Sequence, residues 1–89
     1  MLILPKELMQ NQATACLSTL VQGLRSQAEE AVVVDASSLG RFDSSALAVL
    51  LECRRETLAL GKHFAVKGMP PRLNDLATIY GVAELLPSA

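Results

Sequence analysis

Aromatic side chains are scarce in this sequence: it has no Trp, one Tyr and two Phe. A platform that stacks successive nucleic-acid bases on aromatic rings is therefore excluded, and the core has to be assembled from Leu, Val, Ala and Met. An excess of positive charge is also missing. Eight basic residues against nine acidic ones give a net charge of −1. Arg54, Arg55, Lys62, Lys67 and Arg72 are interleaved with acids, which makes a solvated mixed surface and not the concentrated basic face that nucleic acid requires. Long apolar runs are absent too. The densest, Ala46 to Leu51, spans six residues, far short of the roughly 18–20 of a membrane span. No direct membrane insertion is expected. The first residues, Met1-Leu2-Ile3-Leu4-Pro5, lack a basic stretch and are too short an apolar run for a signal peptide. The expected location is cytoplasmic.

The residues that support catalysis or metal binding are equally thin. His63 is the only histidine, and a metal site needs several ligands at suitable spacing. Cys16 and Cys53 fall on predicted helices without Cys-x-x-Cys spacing, so they read as reduced, partly buried thiols. Gly40 and Gly61 are isolated, so there is no Gly-rich phosphate loop. A triad of Ser44, His63 and Asp35 can be drawn on paper. However, the Gly-x-Ser-x-Gly elbow is missing, and His63 begins a strand and so belongs at the opposite end of a parallel sheet. The expectation is a protein that is not an enzyme and has no metal and no cofactor.

What is present is one domain's worth of alternating pattern. The chain has 89 residues, 51% hydrophobic and 19% charged, which is too apolar for disorder and enough for one modest core. Leu2-Ile3-Leu4 reads as a strand ended by Pro5. From about Met9 to Ser26, Ala13, Cys16, Leu17, Leu20 and Leu24 recur at helical spacing. The start of that helix shows no clear cap. Ala31 to Ala36 is a continuous β-branched run, as expected of a central strand buried on both faces. Ser37 to Asp43 reads as a loop anchored by Phe42. Ser44 opens a second helix that stops at Gly61, with Leu47, Leu50, Leu51, Arg54 and Leu58 on its inner stripe. His63 to Lys67 is another strand. Pro70-Pro71 begins a third helix with Leu73, Leu76 and Tyr80 on one face, stopped by Gly81. Leu85 and Leu86 in the tail dock on the body. Strand–helix alternation of this kind predicts a parallel sheet with right-handed crossovers in a single domain over 1–89.

The segment from Asp35 to Leu47 concentrates the polar interest. It puts an Asp at the end of a strand, and a short loop then delivers Asp43-Ser44-Ser45 onto a helix start. In open α/β sheets this is the edge where ligands and partners bind. Asp and Ser are also the favoured N-cap residues without any further role. The functional alternative is a hydroxyl displayed for a kinase or buried by a partner, where a phosphate's added charge would disrupt a packed interface. Both readings stand at this point.

The pattern Asp35-x-Ser37-x-Leu39-x-x-Phe42-Asp43-Ser44-Ser45-Ala46-Leu47 resembles the signature of STAS domains, the family of anti-sigma-factor antagonists and sulfate-transporter tails. Leu50-Leu51, Gly61-Lys62 and Leu73-x-x-Leu76-x-x-x-Tyr80-Gly81-Val82 with Leu85-Leu86-Pro87 extend the resemblance over nearly the whole chain. Within the family it is most similar to the small STAS subunits of Mla-type phospholipid ABC transporters. The resemblance implies a small α/β fold with a mostly parallel sheet and helices packed on it. The usual N-terminal hairpin is trimmed to one strand. It further implies a protein-binding module that engages a transporter ATPase subunit, in a complex at the inner membrane, through Asp43, Ser44, Ser45, Leu39 and Arg41. The alternative it implies is an anti-sigma-factor antagonist whose kinase partner phosphorylates Ser45. Ala46 stands where the family usually has Gly, and Ala is the better helix former.

Overall fold

The computed structural model describes residues 1–89. Its elements run β1 (Leu2–Ile3), β2 (Glu7–Leu8), α1 (Gln10–Ser26), β3 (Ala31–Asp35), β4 (Arg41–Phe42), α2 (Ser45–Ala59), β5 (His63–Lys67), α3 (Pro71–Ile79) and a 3-10 turn over Ala83–Leu85. The main sheet has the order β1-β3-β5, and every pairing is parallel. The β-branched run therefore takes the central strand, as its composition predicts. Val32 lies beside Phe64, and Val34 lies between Leu2 and Val66.

Side chains alternate across a strand, and here the two faces fare differently. Leu4, Val32, Val34, Ala36, Phe64 and Val66 are buried on the side where α1 and α2 pack on each other and on the sheet. Ile3, Val33, Asp35, Ala65 and Lys67 share the other face and are only half-buried or exposed. The expectation of a strand buried on both faces is corrected accordingly: the helices cover one face of the sheet. The fully buried Leu8, Leu24, Leu50 and Leu73 anchor that layer, each contributing about 1.5–3 kcal/mol through apolar surface removed from water.

Two further expectations are corrected. Two strands precede α1 instead of one, and they do not form a hairpin. β2 leaves the main sheet and pairs in parallel with β4, inside the segment read as a loop. A two-residue strand has too little length to show alternation, so neither β2 nor β4 was visible as a pattern. On α2 the buried stripe is Ala46, Leu47, Val49, Leu50, Cys53 and Thr57, rotated from the predicted one. Arg54 is half-buried and Leu58 is exposed. The stops at Gly61 and Gly81 are as predicted, with φ of 72° and 73°. After α3 the tail returns to β5, where the Ala89 amide donates to the Val66 carbonyl at 3.0 Å and the Val66 amide to the Pro87 carbonyl at 2.8 Å.

Candidate functional site

The segment from Asp35 to Leu47 emerges at the C-terminal end of β3. Asp35 turns the chain by accepting from the Ser37 hydroxyl at 2.6 Å and the Ser37 amide at 2.9 Å. These bonds hold its carboxyl below the usual carboxylate range because they favour the charged form. The Gly40 and Arg41 amides both donate to the Lys6 carbonyl, at 2.8 and 3.0 Å. That fastens the loop to the link between β1 and β2 and sets up the β2–β4 pairing. Leu39 and Phe42 are buried, and the Arg72 guanidinium lies over the Phe42 ring, 5.1 Å from its centre.

Asp43 then organises two helices. One carboxylate oxygen accepts the Ser45 amide at 2.9 Å, and the other accepts the Gln10 amide at 3.1 Å. The Ser45 amide is the main reason its carboxyl titrates below the usual range. The expectation that Ser44 caps α2 is corrected: Ser44 already has helical backbone angles, φ −62° and ψ −15°, and its side chain makes no capping bond. Asp43 supplies that bond instead. The start of α1 is also better tied than its sequence suggests. Besides Asp43, the Gln12 side-chain oxygen accepts the Met9 amide at 2.8 Å, the reciprocal half of a capping box.

With the helix end secured by Asp43, the Ser44 hydroxyl is left exposed and unengaged, whereas Ser45 is half-buried. Ser44 borders an open groove of about 400 Å³ whose other walls are Leu47, Ala48, Leu51, Tyr80 and Val82. On the far side of exposed Ala48, a second groove of about 280 Å³ lies between α2 and α1, lined by Ala13, Thr14, Leu17, Val49 and Glu52 as well. The structure thus brings Asp43, Ser44, Ser45 and exposed Arg41 to one end of α2. It places Leu39 beneath them, only 5% exposed, where it supports the loop from the core. Tyr80 and Val82 were missed as groove residues. Tyr80 falls on the helical stripe of Leu73 and Leu76, but α3 ends at Ile79, before the stripe's last member reaches the core, and Tyr80 is left 60% exposed.

The triad drawn on paper does not assemble. His63 begins β5, and Asp35 pairs with Lys67 at its other end, which separates the two by roughly 13 Å at about 3.3 Å per residue. The two thiols are held back from reaction: burial pushes Cys53 up to about 11 and raises Cys16 as well. No group of three or more His, Cys, Asp or Glu side chains is placed to hold a metal ion. No helix is long and apolar enough to cross a membrane.

The family model described as Mlab, STAS domain matches residues 6–87. The chain belongs to the STAS domain family. Solved STAS structures resemble it over nearly its whole length. A putative anti-sigma factor antagonist from Thermotoga maritima matches with a TM-score of 0.79 at 14% identity, covering 97% of this chain and 75% of that one. A STAS domain protein from Planctomyces limnophilus, titled an anti-sigma-factor antagonist, matches with a TM-score of 0.79 at 18% identity, covering 97% and 77%. The antagonist SpoIIAA in its unphosphorylated form matches with a TM-score of 0.75 at 17% identity, covering 98% and 76%. At these identities the likeness shows the fold. No curated protein matches the sequence. STAS domains are in general non-catalytic regulatory modules.

Proposed function

We propose that this STAS domain is a non-catalytic accessory subunit that packs the Asp43-Ser44-Ser45 end of α2, with Arg41 beside it, against the cytoplasmic ATPase of an Mla-type phospholipid ABC transporter. The observation that carries the reading is the free Ser44 hydroxyl at a helix end fixed by Asp43, beside a groove walled by Leu47, Leu51, Tyr80 and Val82. A short side chain permits close approach, and the groove offers apolar surface to a partner side chain. The matching family model, described as Mlab, STAS domain, supports the STAS part of this reading.

The test is Ser44→Glu. In the free domain a carboxylate in the first helical turn is tolerated because of the helix dipole. In a packed interface it must be desolvated, which costs several kcal/mol unless it is paired. The variant should melt close to wild type and bind the purified ATPase about 100-fold or more weakly by titration calorimetry. Wild-type affinity in the variant would remove this face from the interface.

A second reading is favoured by the similar solved structures, which are titled as anti-sigma-factor antagonists. Under it a kinase modifies this helix end. Exposure then favours Ser44 over Ser45 as the acceptor, although the position carried over from the family is Ser45. Mapping a phosphate on protein from its own host would promote this reading.

A further inference from the structure

We infer, on the reading that the Ser44 face meets the ATPase, that the partner segment docked there is apolar along its contact face and carries a carboxylate at each end, one for Arg72 and one for Arg54 of this chain. The groove beside Ser44 is walled by Leu47, Ala48 and Leu51 of α2 and by Tyr80 and Val82 after α3, so no charged residue lines it. Leu58 follows Leu51 by seven residues and so continues the same row two turns further along the helix. It is 47% exposed. Tyr80 adds an exposed ring, a kind of side chain that anchors interfaces.

An arginine stands towards each end of this apolar wall. Arg72 of α3 lies over the Phe42 ring, just before the Asp43-Ser44 end of α2. Arg54 follows Leu47 by seven residues, which places it on the Leu47 row two turns away, and it is half-buried. From Ser44 to Arg54 the helix advances roughly 15 Å at about 1.5 Å per residue. Neither guanidinium has a carboxylate partner: the ion pairs of the molecule involve Arg25, Arg41 and Arg55. Glu52 and Glu56 are held by Arg55 and Arg25, and both oxygens of Asp43 receive amides. Asp75 of α3 and Glu84 of the 3-10 turn make no ion pair with either arginine.

Charge complementarity selects the occupant. A guanidinium is a flat fork of donors that fits a carboxylate through two parallel hydrogen bonds. Covering it in an interface without a counter-charge is costly. A partner that fills the groove therefore brings apolar side chains to its middle and acids to its two ends. A basic segment is repelled at both ends. A second copy of this chain, meeting the groove through the same face, sets arginine against arginine.

The experiment is titration calorimetry of the full chain with the purified ATPase at low and moderate salt. Arg54→Glu and Arg72→Glu should each bind about 10-fold or more weakly than the wild type. The wild-type affinity should fall as salt rises, because charges at the rim of an interface are screened. Arg25→Gln, at the end of α1 and paired with Glu56, should bind as the wild type does. Where a glutamate variant melts low, Arg54→Gln or Arg72→Gln removes the charge, keeps most of the stem and should still weaken binding. Weak binding by Ser44→Glu with wild-type affinity in every Arg54 and Arg72 variant overturns the inference and leaves the proposed function standing. Weak binding by the arginine variants with Ser44→Glu at wild-type affinity keeps an acidic partner on the groove and removes the Ser44 end from it. A wild type that does not bind the ATPase overturns both. Phosphatidylglycerol vesicles that bind the wild type but neither glutamate variant, with ATPase affinity unchanged, overturn the inference in favour of a lipid headgroup. Dimerisation in sedimentation velocity that is lost in the same two variants, again with ATPase affinity unchanged, overturns it in favour of a second copy.

Discussion

Each oxygen of the Asp43 carboxylate receives an amide from a different helix, Ser45 of α2 and Gln10 of α1. Asparagine at this position keeps one acceptor and presents an amide donor to the other helix, so Asp43→Asn must lose one of the two ties. The expected outcome is a melting temperature lower by roughly 4–8 °C at neutral pH, the scale of a lost cap in a domain of this size. The pH dependence has a definite sign. The native carboxyl titrates below its ordinary value, so its contribution is complete above about pH 4 and is lost as pH falls through the native pKa. The gap between wild type and variant should therefore narrow on acidification, as followed by thermal melts from neutral to acid pH. A gap that widens in acid would mean that the charged carboxylate does not hold these helix ends. Capping chemistry at Asp43-Ser44-Ser45 was legible from residue types. Which of the three bears the cap was not, because it depends on Ser44 having already entered the helix.

At the scale of elements, the loop after β3 and the turn after β5 lie against each other. Gly68 has φ of 66°, and a β-carbon there would come 2.7 Å from the Ser37 β-carbon and 3.1 Å from its α-carbon. The obstacle is backbone and the short side chain that turns on Asp35, neither of which can move freely. Gly68→Ala should destabilise the domain by roughly 1–3 kcal/mol, combining the left-handed penalty with overpacking. Urea unfolding with an unchanged m-value checks it, and a cost below a few tenths would show that the turn relaxes. The longer elements α1, α2, β3 and β5 were readable because their periodicity persists over several residues. β2 and β4 were not, since each is two residues held by tertiary pairing and by the Lys6 carbonyl.

For the whole molecule, burial on one face of the sheet distributes stability unevenly. β3 is flanked on both sides and carries buried Val32 and Val34. β1 has one partner. Hydrogen exchange by mass spectrometry should find the slowest amides in Val32–Val34 and much faster exchange at Leu2–Ile3 in dilute protein, since local opening is easiest where backbone bonds face water. Equal protection of the two strands in dilute solution would contradict this arrangement.

The sequence by itself determined the class of this protein. Strand and helix periods alternate along it, Gly61 and Gly81 stop its helices, and the Asp35–Leu47 signature marks its STAS membership. These are local properties, written in composition and spacing. Tertiary structure alone decided which residues stand at the surface. Leu39 reads as part of a partner surface and Tyr80 as part of a helix's inner face, yet the loop folds Leu39 into the core while α3 ends too early to bury Tyr80. Ser44 and Ser45 are identical in chemistry, and only the Asp43 bond to the Ser45 amide leaves the Ser44 hydroxyl free. Exposure and pairing depend on where distant segments meet, and no local pattern encodes that.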